Sequence, residues 1–490
     1  MLHLLLVNKC YFSNIVRQLG FRLMQMSHLS LDSEVSEQLR SSYVNEEAKD
    51  KVQKSDFNDE RYESLLRELA TPPKYTILRV NTLFETTVNI KMKLAIALKE
   101  QYSIKNLPTP EILQHPLLPD TLVVPNHKKN EHLPHHEKEV IVDLACGMAV
   151  LRGANIFAQG IMAAHPGMQA DDTVSVFSDI DGMCRKGLTQ AFQGKKIFVG
   201  NGIAKISRQD LFCSSDSNLP SGLGVQMTEP LYDAPSLNDL LPSMVFSQNL
   251  PSVVCSHVLN PQPGEIVLDM CSAPGGKTTH IATLMKNKGR VIGLDKAKNK
   301  LEKIRMNVKQ LGLDCVEIYG YDSTKAMDEN AQLNGSPPYP AKAFDRILLD
   351  GPCSALGQRP SLKNKMSIKE LNSYSVLQKK LFKTAVSLLK TGGTLVYSTC
   401  TLTLEENEKL VKWALDKYAC LALDQQEPHV GGYGLYGAGL SDVKLKLLQR
   451  FDPSDTRQRQ HHLEISELER HLIRCNHDTI GFFIAKFVKR

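Results

Sequence analysis

The sequence after Pro230 alternates short apolar segments with helix-like segments, and this alternation constrains the fold more than any other feature. Such alternation is typical of a parallel sheet that is covered by helices on both faces. The helix-like segments include residues 300–311 and 373–389. The strand-like segments are residues 265–270, 291–295, 316–321, 343–350, 393–398 and 481–487. Residues 213–490 are therefore predicted to form a doubly wound α/β domain, with its ligand at the carboxyl ends of the strands.

The region before this domain begins with a basic extension. Residues 1–25 carry Lys9, Arg17 and Arg22 and contain no acidic residue. This bias fits either a mitochondrial targeting segment or an extension that is cleaved or not translated.

A small α/β module follows at residues 26–125. Helical periodicity over residues 31–70 stops at a proline doublet, residues 75–81 alternate like a strand, and residues 88–100 are again helix-like. The polar, proline-broken residues 126–138 are predicted to be a linker. The linker histidines lack the cysteines and ordered elements of a metal site, so no metal is predicted; they are His127, His132, His135 and His136.

Charge and cysteine usage limit the possible environments. The chain has 490 residues, a formal net charge of +6 and 11 cysteines. The charge is compatible with a polyanionic partner but does not identify one. The cysteine count is odd and the spacing C-x-x-C never occurs, which disfavours a disulfide framework and a zinc knuckle. We therefore expect a cytoplasmic protein whose cysteines act as thiols, and no segment is apolar enough to predict a membrane span.

Residues 139–212 consist of short β-branched segments separated by glycines. Strands are expected at residues 139–143, 149–153, 173–178 and 196–199, which describes a compact β barrel. The strings AVLRGANIFAQGI, DDTVSVFSDIDGMCRKG and KKIFVGNGIAKISRQDLF resemble the PUA domain, an RNA-binding module of RNA-modifying enzymes. The residues expected to contact RNA in this module are Arg152, Arg185, Lys186 and Asn201.

The first strand-to-helix turn of the α/β domain reads IVLDMCSAPGGKTTHI. A phosphate-binding P-loop would need a glycine where Cys271 stands, and the dinucleotide pattern G-x-G-x-x-G is absent. S-adenosylmethionine remains as the candidate cofactor, because it has no phosphate but has a carboxylate and a ribose. Asp295 ends the second strand, where a ribose-binding acid is expected, and Asp322 follows the third strand, where it can reach the adenine.

Two cysteines and one acid follow the fourth and fifth predicted strands. Asp350 and Cys353 stand in LLDGPCS, and Cys400 stands in YSTCTLTLEENE. Methylation at carbon 5 of cytosine requires a thiolate that adds to carbon 6, together with a carboxyl group at nitrogen 3. The target base must also be unstacked into the site. The spacing of these residues does not decide which thiol is the nucleophile.

The strings DMCSAPGGKTTH, LLDGPCS, YSTCTLTLEENE and IGFFIAKF resemble the Sun-domain family of RNA cytosine-5 methyltransferases, in its PUA-containing branch. The resemblance implies a Rossmann-like S-adenosylmethionine-dependent methyltransferase domain with an N-terminal α/β module and an inserted PUA barrel. It implies that Cys400 is the nucleophile, that Cys353 assists product release and that Asp350 and Lys277 are catalytic. The implied cofactor-binding residues are Cys271, Ser272, Ala273, Pro274, Gly275, Gly276, Lys277, Asp295, Asp322 and Asp350.

The same resemblance implies a substrate. The PUA-containing branch methylates a cytidine near the 3′ end of the tRNA acceptor stem, with the barrel on the CCA end. Two alternatives stay open: the same chemistry on rRNA or mRNA, and an RNA-binding protein without activity. A monomer is expected.

Overall fold

The computed structural model describes residues 28–43, 54–104, 108–126, 130, 132–212, 221–235, 237, 240–455 and 467–490. The expectation for residues 1–25 therefore lies outside the described residues. Within the described part the strands form three sheets. No described helix combines the length and apolar character that a membrane span requires.

The N-terminal module places two helices before a four-stranded sheet. Helix α1 begins after Asp32, whose side chain caps it by accepting a hydrogen bond from the Glu34 amide at 3.0 Å. The sheet has the order β10-β1-β3-β2, so its edge strand β10 comes from much later in the chain. The elements are α1 (Ser33–Ser41), α2 (Lys54–Ala70), β1 (Tyr75–Val80), α3 (Thr87–Ile104), β2 (Leu113–Gln114), β3 (Thr121–Pro125) and β10 (Val245–Ser247).

An inserted domain of six strands lies between β3 and β10 in sequence. Its strand order is β5-β9-β8-β7-β4-β6, around an apolar core of its own. The elements are β4 (Glu139–Val142), α4 (Leu144–Leu151), β5 (Ile156–Phe157), β6 (Ile161–Ala164), β7 (Thr173–Asp179), β8 (Lys196–Ala204), α5 (Arg208–Phe212) and β9 (Leu223–Pro230).

Two expectations about the inserted domain were wrong. Residues 149–153 do not form a strand, because Asp143 caps helix α4 by accepting a hydrogen bond from the Cys146 amide at 2.7 Å. The boundary at residue 212 is also too early, since β9 pairs with β8 along most of its length. The inserted sheet therefore extends to Pro230.

The catalytic domain contains a mixed sheet in which every predicted strand is present. The order is β13-β12-β11-β14-β15-β18-β16, with β17 also paired to β18. The five strands from β13 to β15 are parallel to their neighbours, and β18 is antiparallel. The strands are β11 (Ile266–Asp269), β12 (Arg290–Asp295), β13 (Val316–Gly320), β14 (Phe344–Asp350), β15 (Leu389–Thr399), β16 (Leu421–Leu423), β17 (Leu448–Phe451) and β18 (Phe482–Lys489).

Strand order reverses between β11 and β14, which run parallel with their carboxyl ends side by side. This switch point is where an open α/β sheet binds its ligand. The Rossmann-like fold class predicted from the sequence is thus confirmed. The helices are α6 (Leu250–Leu259), α7 (Gly276–Leu284), α8 (Leu301–Gln310), α9 (Ile368–Leu388), α10 (Glu408–Lys417), α11 (Asp442–Leu445) and α12 (Glu467–His477).

A buried carboxylate joins the N-terminal module to the catalytic domain. Asp120, directly before β3, accepts hydrogen bonds from Nε2 of His257 on α6 and Nε2 of His280 on α7, both at 2.8 Å. Burial lowers the pKa of His280 to about 3, so this imidazole is neutral. The two histidines hold the pKa of Asp120 far below its usual range against the effect of burial, so the carboxylate is ionised.

We expect Asp120→Ala to destabilise the protein, because it leaves the two imidazole N–H groups buried without an acceptor. A loss of about 3 kcal/mol is expected from the removal of such a buried partner. The midpoint of thermal unfolding measures it. Asp416→Ala removes an exposed carboxylate that pairs with Lys412 and is the matched control, with a change within about 0.5 kcal/mol. Equal midpoints for the two variants would contradict a structural role for Asp120.

Candidate active site

A cavity of about 1400 Å³ opens at the switch point of the catalytic sheet. Its wall combines the turn after β11, the ends of β14 and β15, the N-terminal module and the inserted domain. Cys400 and Asp350 line it on the catalytic side, Tyr75 lines it from β1, and Arg152 lines it from the inserted domain. A single space therefore connects the predicted nucleophile with a predicted RNA contact.

The conformation of the turn after β11 is fixed by its backbone geometry and by hydrogen bonds. Gly275 has a φ of 103°, a left-handed conformation that suits glycine and allows α7 to begin at Gly276. The Asp295 carboxylate accepts a hydrogen bond from the Ala273 amide at 3.0 Å, which joins the turn to the end of β12. Ser272 is tied to the same strand, because its amide donates to the Leu294 carbonyl at 2.9 Å.

The predicted cofactor-binding residues converge at neighbouring strand ends. Asp295 ends β12, and Asp322 follows the adjacent β13, so both acids lie on the edge of the sheet that carries the turn. A hydrogen bond from Thr324 lowers the pKa of Asp322, so that side chain is ionised. The N-terminus of α7 and the glycines fit the carboxylate of S-adenosylmethionine. Asp295 fits its ribose, and Asp322 fits its adenine.

Lys277 and Asp350 form a partly buried ion pair at the centre of the site. Lys277 Nζ lies 2.7 Å from an Asp350 oxygen, and the Ser398 hydroxyl donates to the other oxygen at 2.7 Å. Burial would lower the pKa of Lys277, but the carboxylate and the nearby sulfurs of Cys255 and Cys400 raise it overall. The lysine is therefore a permanent cation beside the cysteines.

The two predicted catalytic cysteines are in contact. Cys353 Sγ lies 3.3 Å from Cys400 Sγ. The hydrogen bond from Cys353 lowers the pKa of Cys400, with additional contributions from Gln358 and Lys277. The hydrogen bond to Cys400, burial and the nearby Glu406 raise the pKa of Cys353. Cys400 is therefore the more acidic of the two thiols.

Backbone contacts fix the segments that carry the two thiols. The Gly357 amide donates to the Cys400 carbonyl at 3.0 Å, and the Gly481 amide donates to the Gly357 carbonyl at 2.7 Å. A Cβ on Gly357 would lie 2.2 Å from the Gly481 carbonyl oxygen, so the approach requires glycine. The position of Cys400 relative to Cys353 is thus set by the backbone.

Three residues of the site were missed by the sequence interpretation. Buried Glu406 accepts hydrogen bonds from the Ser354 amide and hydroxyl at 3.0 and 2.6 Å, and so holds the residue after Cys353. Gln358 lines the cavity and hydrogen-bonds to Cys400. Asp269 also lines the cavity, and burial raises its pKa to about 7. Of these three residues, only Asp269 could have been predicted from the sequence, because it is an acid at the end of the first predicted strand of the α/β domain.

The predicted RNA contacts divide into two groups. Arg152 is exposed on the cavity wall, and Arg185 and Lys186 are exposed on the inserted domain. Asn201 is fully buried, and its side-chain amide donates to the Pro134 carbonyl and Glu229 carboxylate, both at 2.9 Å. The expectation for Asn201 was wrong, because this side chain is saturated by hydrogen bonds within the sheet.

Within the described part of the linker, His135 takes part in packing. The ring of His135 lies 4.4 Å from that of Phe198, centroid to centroid. Among the described residues, side chains spaced like metal ligands occur at Asp120, His257 and His280. The hydrogen bonds from His257 and His280 to the Asp120 carboxylate already explain why these three side chains lie close together.

Known proteins share both the sequence and the fold of this chain. Residues 256–488 match the family model described as 16S rRNA methyltransferase RsmB/F. The human tRNA (cytosine(72)-C(5))-methyltransferase NSUN6 is 48% identical over 470 residues, which cover 94% of this chain and 98% of that protein. The tRNA (cytosine(72)-C(5))-methyltransferase of Pyrococcus horikoshii is 32% identical over 88% of this chain and 94% of its own length.

Among solved structures, this chain is similar to NSun6 from Pyrococcus horikoshii, crystallised with the S-adenosylmethionine analogue SFG. The TM-score is 0.71 at 29% identity, over 94% of this chain and 98% of the other. Both the sequence and the structure comparison extend through the N-terminal module and the inserted domain. The chain therefore belongs to the RsmB/F family of S-adenosylmethionine-dependent RNA cytosine-5 methyltransferases, in the branch that contains the NSUN6 proteins.

Proposed function

We propose that this chain transfers a methyl group from S-adenosylmethionine to carbon 5 of a cytidine near the 3′ end of the tRNA acceptor stem. The observation that carries the proposal is the contact between Cys353 and Cys400, whose sulfurs are 3.3 Å apart, with Cys400 lining the cavity that Lys277 and Asp350 also line. An RNA-binding protein without activity would not require two thiols in contact beside an ion pair at the switch point of the sheet. The similarity to tRNA (cytosine(72)-C(5))-methyltransferases along most of the chain supports the choice of tRNA.

The first step is the addition of Cys400 to the base. The thiolate attacks carbon 6, and negative charge develops on the pyrimidine ring. As this charge develops, N3 takes up a proton from water, the Asp350 carboxylate accepts a hydrogen bond from the N3–H group, and the protonated Lys277 offsets the charge. S-adenosylmethionine, when bound, supplies the methyl group to the activated carbon 5.

The second step releases the product. A base removes the proton from carbon 5, and the carbon–sulfur bond to Cys400 breaks. Cys353 Sγ lies 3.3 Å from Cys400 Sγ, so the Cys353 thiol can donate a hydrogen bond to the Cys400 thiolate as it is expelled. The two cysteines thus have different roles although their sulfurs touch.

The inserted domain supports the part of the proposal that concerns RNA ends. It resembles a PUA domain in sequence, and its exposed Arg152 lines the cavity that contains Cys400. We infer that this domain holds the CCA end while the target cytidine is unstacked toward Cys400. We propose that the protein works as a monomer in the cytoplasm, where its scattered thiols, with no C-x-x-C spacing, stay reduced.

Methyl transfer from labelled S-adenosylmethionine to tRNA, rRNA and poly(A) RNA, measured in parallel, tests the proposal. We expect label in tRNA, and Cys400→Ala should reduce it by at least about 10³-fold because the covalent step is lost. Calorimetry with S-adenosylhomocysteine should show unchanged cofactor binding by that variant. Label confined to another RNA would overturn the substrate, and no label with any RNA would overturn the activity.

Cys353→Ala should trap a covalent complex between Cys400 and RNA, because release of the thiolate is impaired. The complex is detected as a shifted band on a denaturing gel with labelled tRNA. The double variant Cys353→Ala, Cys400→Ala is the control and should give no band. A trapped complex with Cys400→Ala alone would show that the two roles are exchanged.

Gln358→Ala should move the acidic limb of the profile of kcat/KM against pH to higher pH. The thiolate is the reactive form, and loss of a hydrogen bond to it raises the thiol pKa by about one unit. Activity should therefore fall most below the wild-type limb and recover at alkaline pH. Gln425→Ala, at an exposed glutamine of the same domain, is the matched control. An unshifted limb would exclude an effect of Gln358 on Cys400.

A further inference from the structure

The contact between the two catalytic sulfurs has a second chemical consequence. Cys353 Sγ and Cys400 Sγ are 3.3 Å apart, whereas the bond of a disulfide is about 2.05 Å long. A small shift of the two side chains would bring the sulfurs into bonding distance. The hydrogen bond from the Gly357 amide to the Cys400 carbonyl keeps the segment after Cys353 next to Cys400 during such a shift.

The environment makes one of the two thiols reactive toward oxidants. Cys400 lines the cavity, so a small peroxide molecule can reach it. Lys277 and Gln358 stabilise its anionic form, and the thiolate is the species that peroxides attack. Cys353, whose thiol is the less acidic of the two, lies beside it. The pair therefore has the arrangement of a reactive cysteine and a resolving cysteine.

Other cysteines near the site lack these properties. Burial raises the pKa of Cys255 to about 12, and burial together with nearby carboxylates raises the pKa of Cys271 well above its ordinary value. Neither contacts another sulfur in the described part of the chain. An oxidant that enters the cavity should therefore react at Cys400 first.

We propose that Cys353 and Cys400 form a reversible disulfide when the RNA-free enzyme meets hydroperoxides, which makes this pair an oxidative modification site. The inference goes beyond the proposed function, because the disulfide can form whichever cysteine is the nucleophile. Oxidation stops methyl transfer because both thiols are consumed. It also protects Cys400, since a sulfenic acid without a partner oxidises further and irreversibly.

The reaction balances with hydrogen peroxide as the oxidant. The Cys400 thiolate attacks one peroxide oxygen, the O–O bond breaks, and hydroxide leaves and is protonated to water. This gives a sulfenic acid on Cys400. The Cys353 sulfur then attacks the Cys400 sulfur, the S–O bond breaks, and the departing hydroxide takes the Cys353 proton to form a second water. Two thiols are oxidised to one disulfide, and one peroxide is reduced to two waters.

The test treats the full-length protein, without RNA, with a few equivalents of hydrogen peroxide, blocks free thiols by alkylation and identifies peptides by mass spectrometry without reduction. We expect a linked pair of peptides that contain Cys353 and Cys400. Methyl transfer should fall about tenfold or more and return when dithiothreitol is added. Cys420→Ser, outside the cavity, is the control and should form the same linked pair.

The variant Cys353→Ser separates a disulfide from simple oxidation. Its Cys400 has no resolving partner, so the Cys400 peptide should gain two oxygen atoms and keep them after dithiothreitol. This readout is a mass and does not depend on catalytic activity. The proposal is overturned if wild-type Cys400 also stops at the sulfinic acid, if the linked peptides join other cysteines, or if neither thiol is modified.

Discussion

The partly buried ion pair between Lys277 and Asp350 connects two segments of the catalytic domain at the candidate active site. Lys277 lies in the first turn of α7, and Asp350 is the last residue of β14, so the pair joins the cofactor turn to the segment that carries Cys353. Either charge, without the other, would lose free energy in this partly buried position. Because the lysine stays protonated, it also stabilises the anionic form of Cys400. The turn after β11, Asp350 and Cys400 therefore share one electrostatic interaction.

The N-terminal module acts on the chemistry through the segments that follow the cysteines. Arg359, six residues after Cys353, is buried and pairs with Glu68 of α2 at 3.0 Å and with Asp478 at 2.9 Å. Leu402, two residues after Cys400, packs among leucines of α1 and α2. Arg359 and Asp478 also line the cavity, so the first of these contacts forms part of its wall. The N-terminal module thus supports the segments that follow the two thiols.

The sequence predicted what depends on local pattern and failed where distant residues decide the outcome. The strands of the catalytic sheet are runs of β-branched residues, and Asp295, Asp322 and Asp350 follow them directly, so both could be predicted. The pairing of β10 with β1 and of β9 with β8 joins segments that no local pattern relates. Asn201 stands in a glycine-flanked string typical of a turn, yet it is buried because Glu229 and Pro134 reach it from elsewhere. Gln358 and Glu406 are placed by the backbone around the cysteines, which becomes visible only in three dimensions.

The position of β18 in the catalytic sheet has a consequence for synthesis of the chain. This strand, residues 482–489 of 490, lies between β15 and β16 and also pairs with β17. Until β18 has been synthesised and has paired with β15, the edge of β15 beside Cys400 has no partner, and an unpaired apolar edge favours aggregation. The sheet that carries Cys400 at the end of β15 is thus completed by a strand that begins more than 80 residues later in the chain, at Phe482, so a truncation before that residue would leave this edge unpaired.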